Sequence, residues 1–202
     1  MYSVMEDRPQ LLARLARCKQ EHRVPGMFLG SVLASADALG PEVAELARRE
    51  IADGERLVEN YRYPLSWMLR MLDIIGQAAV VRGGSYGEAL YKCGRDAGLA
   101  YIRSSVGRMR AMVASASGLH RALEGIPSAV SLAVNFGEVS YRRLSPCSGE
   151  LVFKQDLIGV SWNTGMVVVS TAAALGRSLD ELKFESIPTD EDASSFLLRI
   201  CW

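Results

Sequence analysis

The spacing of apolar residues predicts amphipathic helices through the first 128 residues of the chain. The clearest one covers 64–80, where apolar side chains recur at i, i+3, i+4 and i+7, at Leu65, Met68, Leu69, Leu72 and Ile75. A second helix is predicted over 86–101, with Ser85 as its N-cap and one apolar face, made by Ala89, Leu90, Cys93, Ala97 and Tyr101. The N-terminal part of the chain is therefore predicted to be mostly helical.

Two glycines of the second helix, Gly94 and Gly98, lie four residues apart and so share one face. A glycine inside a helix costs about 1 kcal/mol relative to alanine. Close packing against another helix or the sheet would compensate for that cost. We expect such a contact at this face.

Shorter apolar segments predict further helices in the same part of the chain, over 7–20, 27–33, 42–51 and 119–123. The pair Ile126-Pro127 is predicted to end the helical half, because proline interrupts helices.

The pattern changes after residue 128. Short strands are predicted over 137–143 and 149–154, then an apolar helix over 165–176, then strands over 182–186 and 194–202. Gly176 suits the position that ends such a helix. We therefore predict one α+β domain over 1–202, mostly helical over 1–128 and β-β-α-β-β over 129–202. Its N-terminal helices would pack on a C-terminal antiparallel or mixed β-sheet with a crossing helix.

Composition narrows the classes of function. The 23 basic and 23 acidic residues balance, so no global field attracts nucleic acid. No stretch reaches the roughly 18 apolar residues of a membrane span, and no secretory signal is evident at the start. The four cysteines form no metal-binding or disulfide pattern, which favours free thiols in the cytoplasm.

An apolar pocket is predicted between the helices over 64–80, 86–101 and 165–175. The residues predicted to bind a small, lipophilic ligand there are Trp67, Leu72, Cys93, Tyr101 and His120. Trp67 equally suits a core position at a helix start, and Cys93 suits a buried structural thiol. No nucleophile or acid–base set is recognisable, so we predict that the protein is not an enzyme.

A basic run offers a second candidate site. Arg103, Arg108 and Arg110 could hold an anion or an acidic partner. They could equally complement the acidic runs of this chain or of a second copy in a dimer. No nucleic-acid recognition motif accompanies them.

Parts of the chain from Tyr63 onward resemble a family of unknown function found mainly as paralogues in myxobacteria. The matching segments are 63–69, 88–95, 135–139 and 196–202. The order of elements also resembles the superfamily of haem-nitric-oxide-binding domains, vinyl-reductase-type sensor domains and Golgi-tethering subunits. That resemblance implies helices packed on a C-terminal sheet, frequent dimers and an apolar pocket between the two layers.

Within the haem-binding branch, the resemblance places His120 where the proximal histidine is expected. A Tyr-x-Ser-x-Arg clamp for the haem propionates should follow the second strand. Here that place reads Phe153-Lys-Gln-Asp-Leu157, which supplies neither the hydroxyls nor the arginine. We therefore expect no cofactor, with His120 as a metal ligand only if haem is bound.

The leading hypothesis is a non-catalytic cytoplasmic signalling or adaptor domain that binds a small lipophilic ligand. The first alternative is a structural or interaction protein that acts through homo- or hetero-dimerisation, with a homodimer or another protein as partner. The second is a haem-based gas sensor that uses His120.

Overall fold

The computed structural model describes residues 6–52, 55–104, 107–109, 112 and 118–202. Its N-terminal layer is helical, with a short antiparallel ribbon of two strands packed beside it. The helices are α1 (Arg8–Arg17), α2 (Gly26–Leu39), α3 (Pro41–Arg48), α4 (Leu65–Val81) and α5 (Tyr86–Arg103), and the ribbon strands are β1 (Arg23–Pro25) and β2 (Arg62–Pro64).

The elements of the C-terminal part are α6 (Leu119–Glu124), α7 (Ile126–Ala133), β3 (Glu138–Ser145), β4 (Ser148–Lys154), α8 (Val160–Leu175), a 3-10 turn (Leu179–Glu181), β5 (Lys183–Pro188) and β6 (Phe196–Cys201). Its four strands form an antiparallel sheet with the order β3-β4-β6-β5. The predicted α+β fold is confirmed, and the sheet is antiparallel.

Helix α8 crosses between two hydrophobic clusters. Trp162 and Met166 face the cluster built by the N-terminal helices, whereas Val160 and Val167 belong to the cluster on the sheet. A helix that is apolar on every side is buried on every side, which explains why α8 is so apolar. Among the described helices, none is both long and apolar enough to cross a membrane.

Glycines allow α5 and α8 to cross at close range. A Cβ atom on Gly94 would lie 2.0 Å from the carbonyl oxygen of Trp162, and one on Gly165 would lie 2.1 Å from that of Tyr91. Gly98 approaches Met166 in the same way, at 2.8 Å from its carbonyl oxygen. The expected close contact at Gly94 and Gly98 is confirmed, and the partner is α8.

The structure corrects two of the expected boundaries and adds a ribbon of two strands. Ile126-Pro127 was expected to end the helical half, but helix α7 begins at Ile126. Proline suits the first turn of a helix, because the N–H groups there need no partner within the helix. Helix α8 begins at Val160 rather than at 165. The ribbon of β1 and β2 carries no alternating pattern and was not predicted.

Candidate functional site

A cavity of about 100 Å³ lies where the N-terminal helices meet the sheet and α8. Most of its wall is apolar or aromatic, contributed by Phe28 of α2, Tyr101 of α5, Phe153 of β4, and Trp162, Met166 and Val167 of α8. The rings of Phe28 and Trp162 meet edge to face, with their centroids 5.1 Å apart and an interplanar angle of 67°. The wall is therefore built by elements of both layers.

Helix α7 closes one side of the cavity. Its lining residues recur at i, i+3, i+4 and i+7, as Ile126, Ala129, Val130 and Ala133. None of the residues of α7 is fully buried, and Leu132 on its other side is exposed. One face of this helix therefore covers the cavity while the other meets solvent.

The polar end of the cavity is Asp156, which is 3% exposed. Its Oδ1 accepts hydrogen bonds from the backbone N–H groups of Ile158 (2.9 Å) and Gly159 (2.8 Å) and from Nδ2 of Asn163 (2.8 Å). Within the part of the chain that the structure describes, Oδ2 accepts none. Burial raises the pKa of Asp156 to about 6.

Two further polar atoms in the lining lack partners. The indole Nε1 of Trp162 and the hydroxyl of Ser170 are sealed from solvent and make no hydrogen bond with the described residues. Buried polar groups usually have a partner, so an orphan group in a cavity wall is a reason to expect a ligand or an ordered water there.

The segment that carries Asp156 is held from behind by Arg14 of α1. This guanidinium is fully buried, donates from Nε to the carbonyl oxygen of Leu157 and from Nη2 to that of Ile158, both at 3.3 Å, and pairs with Glu6. Glu6 in turn accepts from the backbone N–H of Ser161 at 3.0 Å. The first turn of α8 and the Asp156 segment are therefore fixed by a buried ion pair.

Of the residues predicted to bind a ligand, Tyr101 lines the cavity. Trp67, Leu72 and Cys93 are not among the residues that line this cavity. Leu72 and Cys93 lie in the core of the helical layer, and Trp67 packs on that core while stacking on Tyr63. The faces predicted to line a pocket pack against other helices, and the cavity opens at the far end of α5.

Cys93 has the character of a structural thiol. Burial raises its pKa to about 12, which leaves almost no reactive thiolate at neutral pH.

His120 lies outside the cavity lining, contrary to its predicted place in the pocket. Its Nε2 is 3.1 Å from the carbonyl oxygen of Pro146, which requires that nitrogen to carry the proton, and its Nδ1 then accepts from the hydroxyl of Tyr141. Its ring meets that of Trp202 edge to face at 4.7 Å. His120 therefore joins α6 to the sheet.

The predicted basic patch is only partly described. Arg103 and Arg108 are both exposed, and Nη1 of Arg108 donates to the backbone oxygen of Arg103 at 2.7 Å. Arg110 lies outside the described residues. The role of the patch stays a prediction.

Sequence reasoning missed the face of α7 and the residues Asp156, Trp162 and Asn163. The face of α7 could have been found from its i, i+3, i+4, i+7 spacing after Pro127. Asp156, three residues before Gly159, carries the signal of a side chain that accepts backbone N–H groups ahead of a helix. Nothing in the local pattern links these residues to Phe28.

Known proteins match this chain at two levels. The model of a family described as "Protein of unknown function (DUF2378)" matches residues 17–200. Among curated proteins, none matches. Solved structures of H-NOX domains match this chain, which confirms the resemblance to haem-NO-binding domains at the level of the fold.

Three of these structures show how far the likeness reaches. The Fe(II) unliganded H-NOX protein from K. algicida is 14% identical, with a TM-score of 0.65 over 88% of this chain and 95% of that one. A mutant of T. tengcongensis H-NOX is 12% identical, with a TM-score of 0.62 over 88% and 96%. An oxygen-binding H-NOX domain related to soluble guanylate cyclases is 10% identical, with a TM-score of 0.61 over 88% and 94%.

His120 and the described lining of the cavity do not fit a haem. Both ring nitrogens of His120 are engaged by Tyr141 and Pro146, so neither is available as an axial ligand. The cavity lining holds Asp156 and, within the part of the chain that the structure describes, contains no lysine or arginine that could pair with a propionate. Among the described residues, no group of three or more histidine, cysteine or acidic side chains could hold a metal ion.

Proposed function

We propose, from the premise that this chain belongs to the DUF2378 family, that the protein is a non-catalytic domain that binds a small apolar molecule in the cavity beneath α7. The observation that carries the proposal is the cavity itself. It is walled by aromatic and aliphatic side chains yet contains orphan polar atoms on Trp162 and Ser170. A few polar groups in an apolar wall are typical of ligand sites.

The volume sets the size of the ligand. An apolar cavity of about 150 Å³ in another protein binds benzene, which has six non-hydrogen atoms. The cavity here, at about 100 Å³, suits a compact molecule of about five non-hydrogen atoms. A haem or a long acyl chain does not fit this volume.

A sensory role agrees with the fold and with the way the cavity is closed. One of the structurally similar H-NOX domains binds oxygen. In the present chain α7 covers the cavity with one face and meets solvent with the other, so occupancy would be transmitted to a surface. We also propose that the protein works in the cytoplasm, in keeping with its free cysteines, Cys18, Cys93, Cys147 and Cys201.

Binding of xenon and of 2-methylbutane to ¹⁵N-labelled protein tests the proposal by NMR. We expect saturable shifts of the Trp162 indole N–H and of amides in α7. Ala129→Leu, which fills the cavity, should weaken both ligands by about tenfold or more. Ser131→Leu, which adds the same side chain on the exposed side of α7, should leave binding within about twofold.

The proposal fails if neither probe produces saturable shifts. It also fails if Ala129→Leu and Ser131→Leu weaken binding equally, because binding would then lie outside the cavity.

Exposed aliphatic side chains at the end of α4 favour association with another protein chain as a second function. Val81 and Val80, at the end of α4, are 86% and 52% exposed. Adjacent exposed aliphatic residues favour a protein contact. Light scattering over a concentration series should show a dimer that Val81→Lys weakens. A monomer at every concentration would remove the homodimer.

A further inference from the structure

We infer that the cavity selects ligands whose polar group donates a hydrogen bond to Asp156, as in a small primary alcohol or a protonated amine, and rejects carboxylates. This inference rests on the proposed function, because it names the chemical class that the same cavity accepts.

The first step is the orientation of the carboxyl group. Oδ1 of Asp156 accepts from two backbone N–H groups and from Nδ2 of Asn163, all within 2.9 Å. Three donors on one oxygen fix the plane of the carboxyl group and leave Oδ2 without a partner among the described residues. Asp156 lines the cavity, so Oδ2 is the acceptor available to a ligand.

The second step is the orientation of the Asn163 side-chain amide. Its Nδ2 also donates to the carbonyl oxygen of Gly159 at 2.9 Å. The amide is therefore held in place by its own helix and cannot turn its N–H groups toward a ligand without losing both bonds. The polar end of the cavity thus presents an acceptor.

The third step is the charge around Asp156. The nearby cation, Arg14, is fully buried behind the loop, where it is bonded to carbonyl oxygens and to Glu6. Arg14 also donates to the backbone oxygen of Asp192, whose carboxylate pairs with Arg17. Among the described residues, the lining contains no lysine, arginine or histidine, and its other titratable side chain is Tyr101.

A carboxylate ligand would therefore meet the charge of Asp156 without a counter-charge. Two like charges in one site disfavour each other strongly. A protonated amine or a hydroxyl group instead gains a hydrogen bond to an ionised acceptor.

The experiment compares ligands that share an isopropyl group by NMR titration, with 2-methylbutane as the apolar reference. At pH 7.5 we expect isobutylamine and isobutanol to bind at least about tenfold more tightly than isobutyrate. Asp156→Asn keeps the acceptor at Oδ1 and places a donor at the other position. It should weaken isobutylamine at least about tenfold and strengthen isobutyrate, with 2-methylbutane unchanged.

Asp190→Asn, which makes the same change in an exposed turn, should keep the wild-type order of ligands. Equal binding of isobutyrate and isobutylamine to the wild-type protein would overturn the inference, and so would an unchanged order in Asp156→Asn. If 2-methylbutane binds in these cases, the proposed function stands and only the selectivity is wrong. If no member of the series binds, the proposed function itself fails.

A measurement on the wild-type protein covers the case in which Asp156→Asn does not fold. The affinity ratio of isobutylamine to 2-methylbutane should fall about tenfold between pH 7.5 and pH 5, as Asp156 takes up a proton. A ratio that does not change with pH overturns the inference.

Discussion

Arg14 is a buried cation that holds the backbone of a neighbouring segment in place. Its guanidinium joins α1 to the carbonyl oxygens of Leu157 and Ile158 and to the carboxylate of Glu6, all away from solvent. A buried ion pair adds little to stability compared with an apolar pair of the same shape, but breaking it leaves an unpaired buried charge. Arg14 therefore positions the wall of the cavity.

Arg14→Ala should lower the free energy of unfolding by about 3–5 kcal/mol, because Glu6 is left buried without a counter-charge. Arg17→Ala, on the same helix, removes a half-exposed partner of Asp192 and should cost at most about 1 kcal/mol. Urea unfolding measures both. Equal losses would show that the Arg14 pair is no more important than a surface one.

Asp156 should make stability depend on pH in an unusual direction. Its folded pKa of about 6 lies above its ordinary value of 3.8, so the folded state binds the proton more tightly than the unfolded state does. This contribution is fully present below pH 3.8 and is lost as the pH rises through about 6. At higher pH the loss is on the order of 3 kcal/mol.

The measurement is the unfolding free energy of the wild-type protein minus that of Asp156→Asn, taken from pH 4 to pH 7. The difference should fall as the pH rises and then become constant, since other carboxyl groups cancel in the comparison. A difference that rises with pH would mean that the Asp156 pKa is lowered by folding.

At the scale of elements, the crossing of α5 and α8 fixes the distance between the two layers. Gly94 and Gly165 remove the side chains that would separate the backbones. The sequence predicted this contact from two glycines on one helix face, although it did not identify the partner helix. The physical reason is that spacing shows which face is bare, whereas the partner is chosen by packing of the whole chain.

Gly94→Ala tests this contact. Alanine favours the helix by about 1 kcal/mol, but its Cβ would lie 2.0 Å from the carbonyl oxygen of Trp162, a backbone atom. We expect a net loss of about 1–3 kcal/mol in thermal or urea unfolding, from the forced separation of α5 and α8.

Gly30→Ala in α2 is the matched control, because a Cβ there meets nothing within 4 Å. It should stabilise the protein by about 0.4–1 kcal/mol. Stabilisation by both variants would show that the two helices separate without cost.

Helix α7 shows the limit of prediction at this scale. Its first residues, Ile126-Pro127, were interpreted as the end of the helical half, yet proline is equally suited to begin a helix. Its lining face reaches the cavity only because the chain folds it over α8 and β4. The pocket was therefore expected along the middle of α5, whereas this cavity lies at the far end of that helix, beside Tyr101.

At the scale of the whole molecule, the fold is that of H-NOX domains while the residues of the site are not those of a haem pocket. Folds host many unrelated functions, so the chemistry has to be argued from the site. His120, which the resemblance implies as the proximal histidine, has both ring nitrogens engaged by Tyr141 and Pro146.

We expect no specific haem binding when the purified protein is mixed with haem. The absorption spectrum should lack a shifted Soret band, and His120→Ala should give the same spectrum. A haem-binding H-NOX domain treated in the same way is the positive control. A Soret band that disappears in His120→Ala would contradict this expectation and restore the gas-sensor alternative.

The sequence by itself determined the α+β class, the main helices and strands, and the glycine face of α5 that packs closely against another element. These features depend on local spacing, turn residues and helix ends. It also identified the absence of a haem clamp between Phe153 and Leu157. Only the tertiary structure showed the cavity, because its wall joins Phe28, α7, Asp156 and α8 from distant parts of the chain. The environment that raises the pKa of Asp156 arises from burial by those elements, and burial is a property of the folded chain.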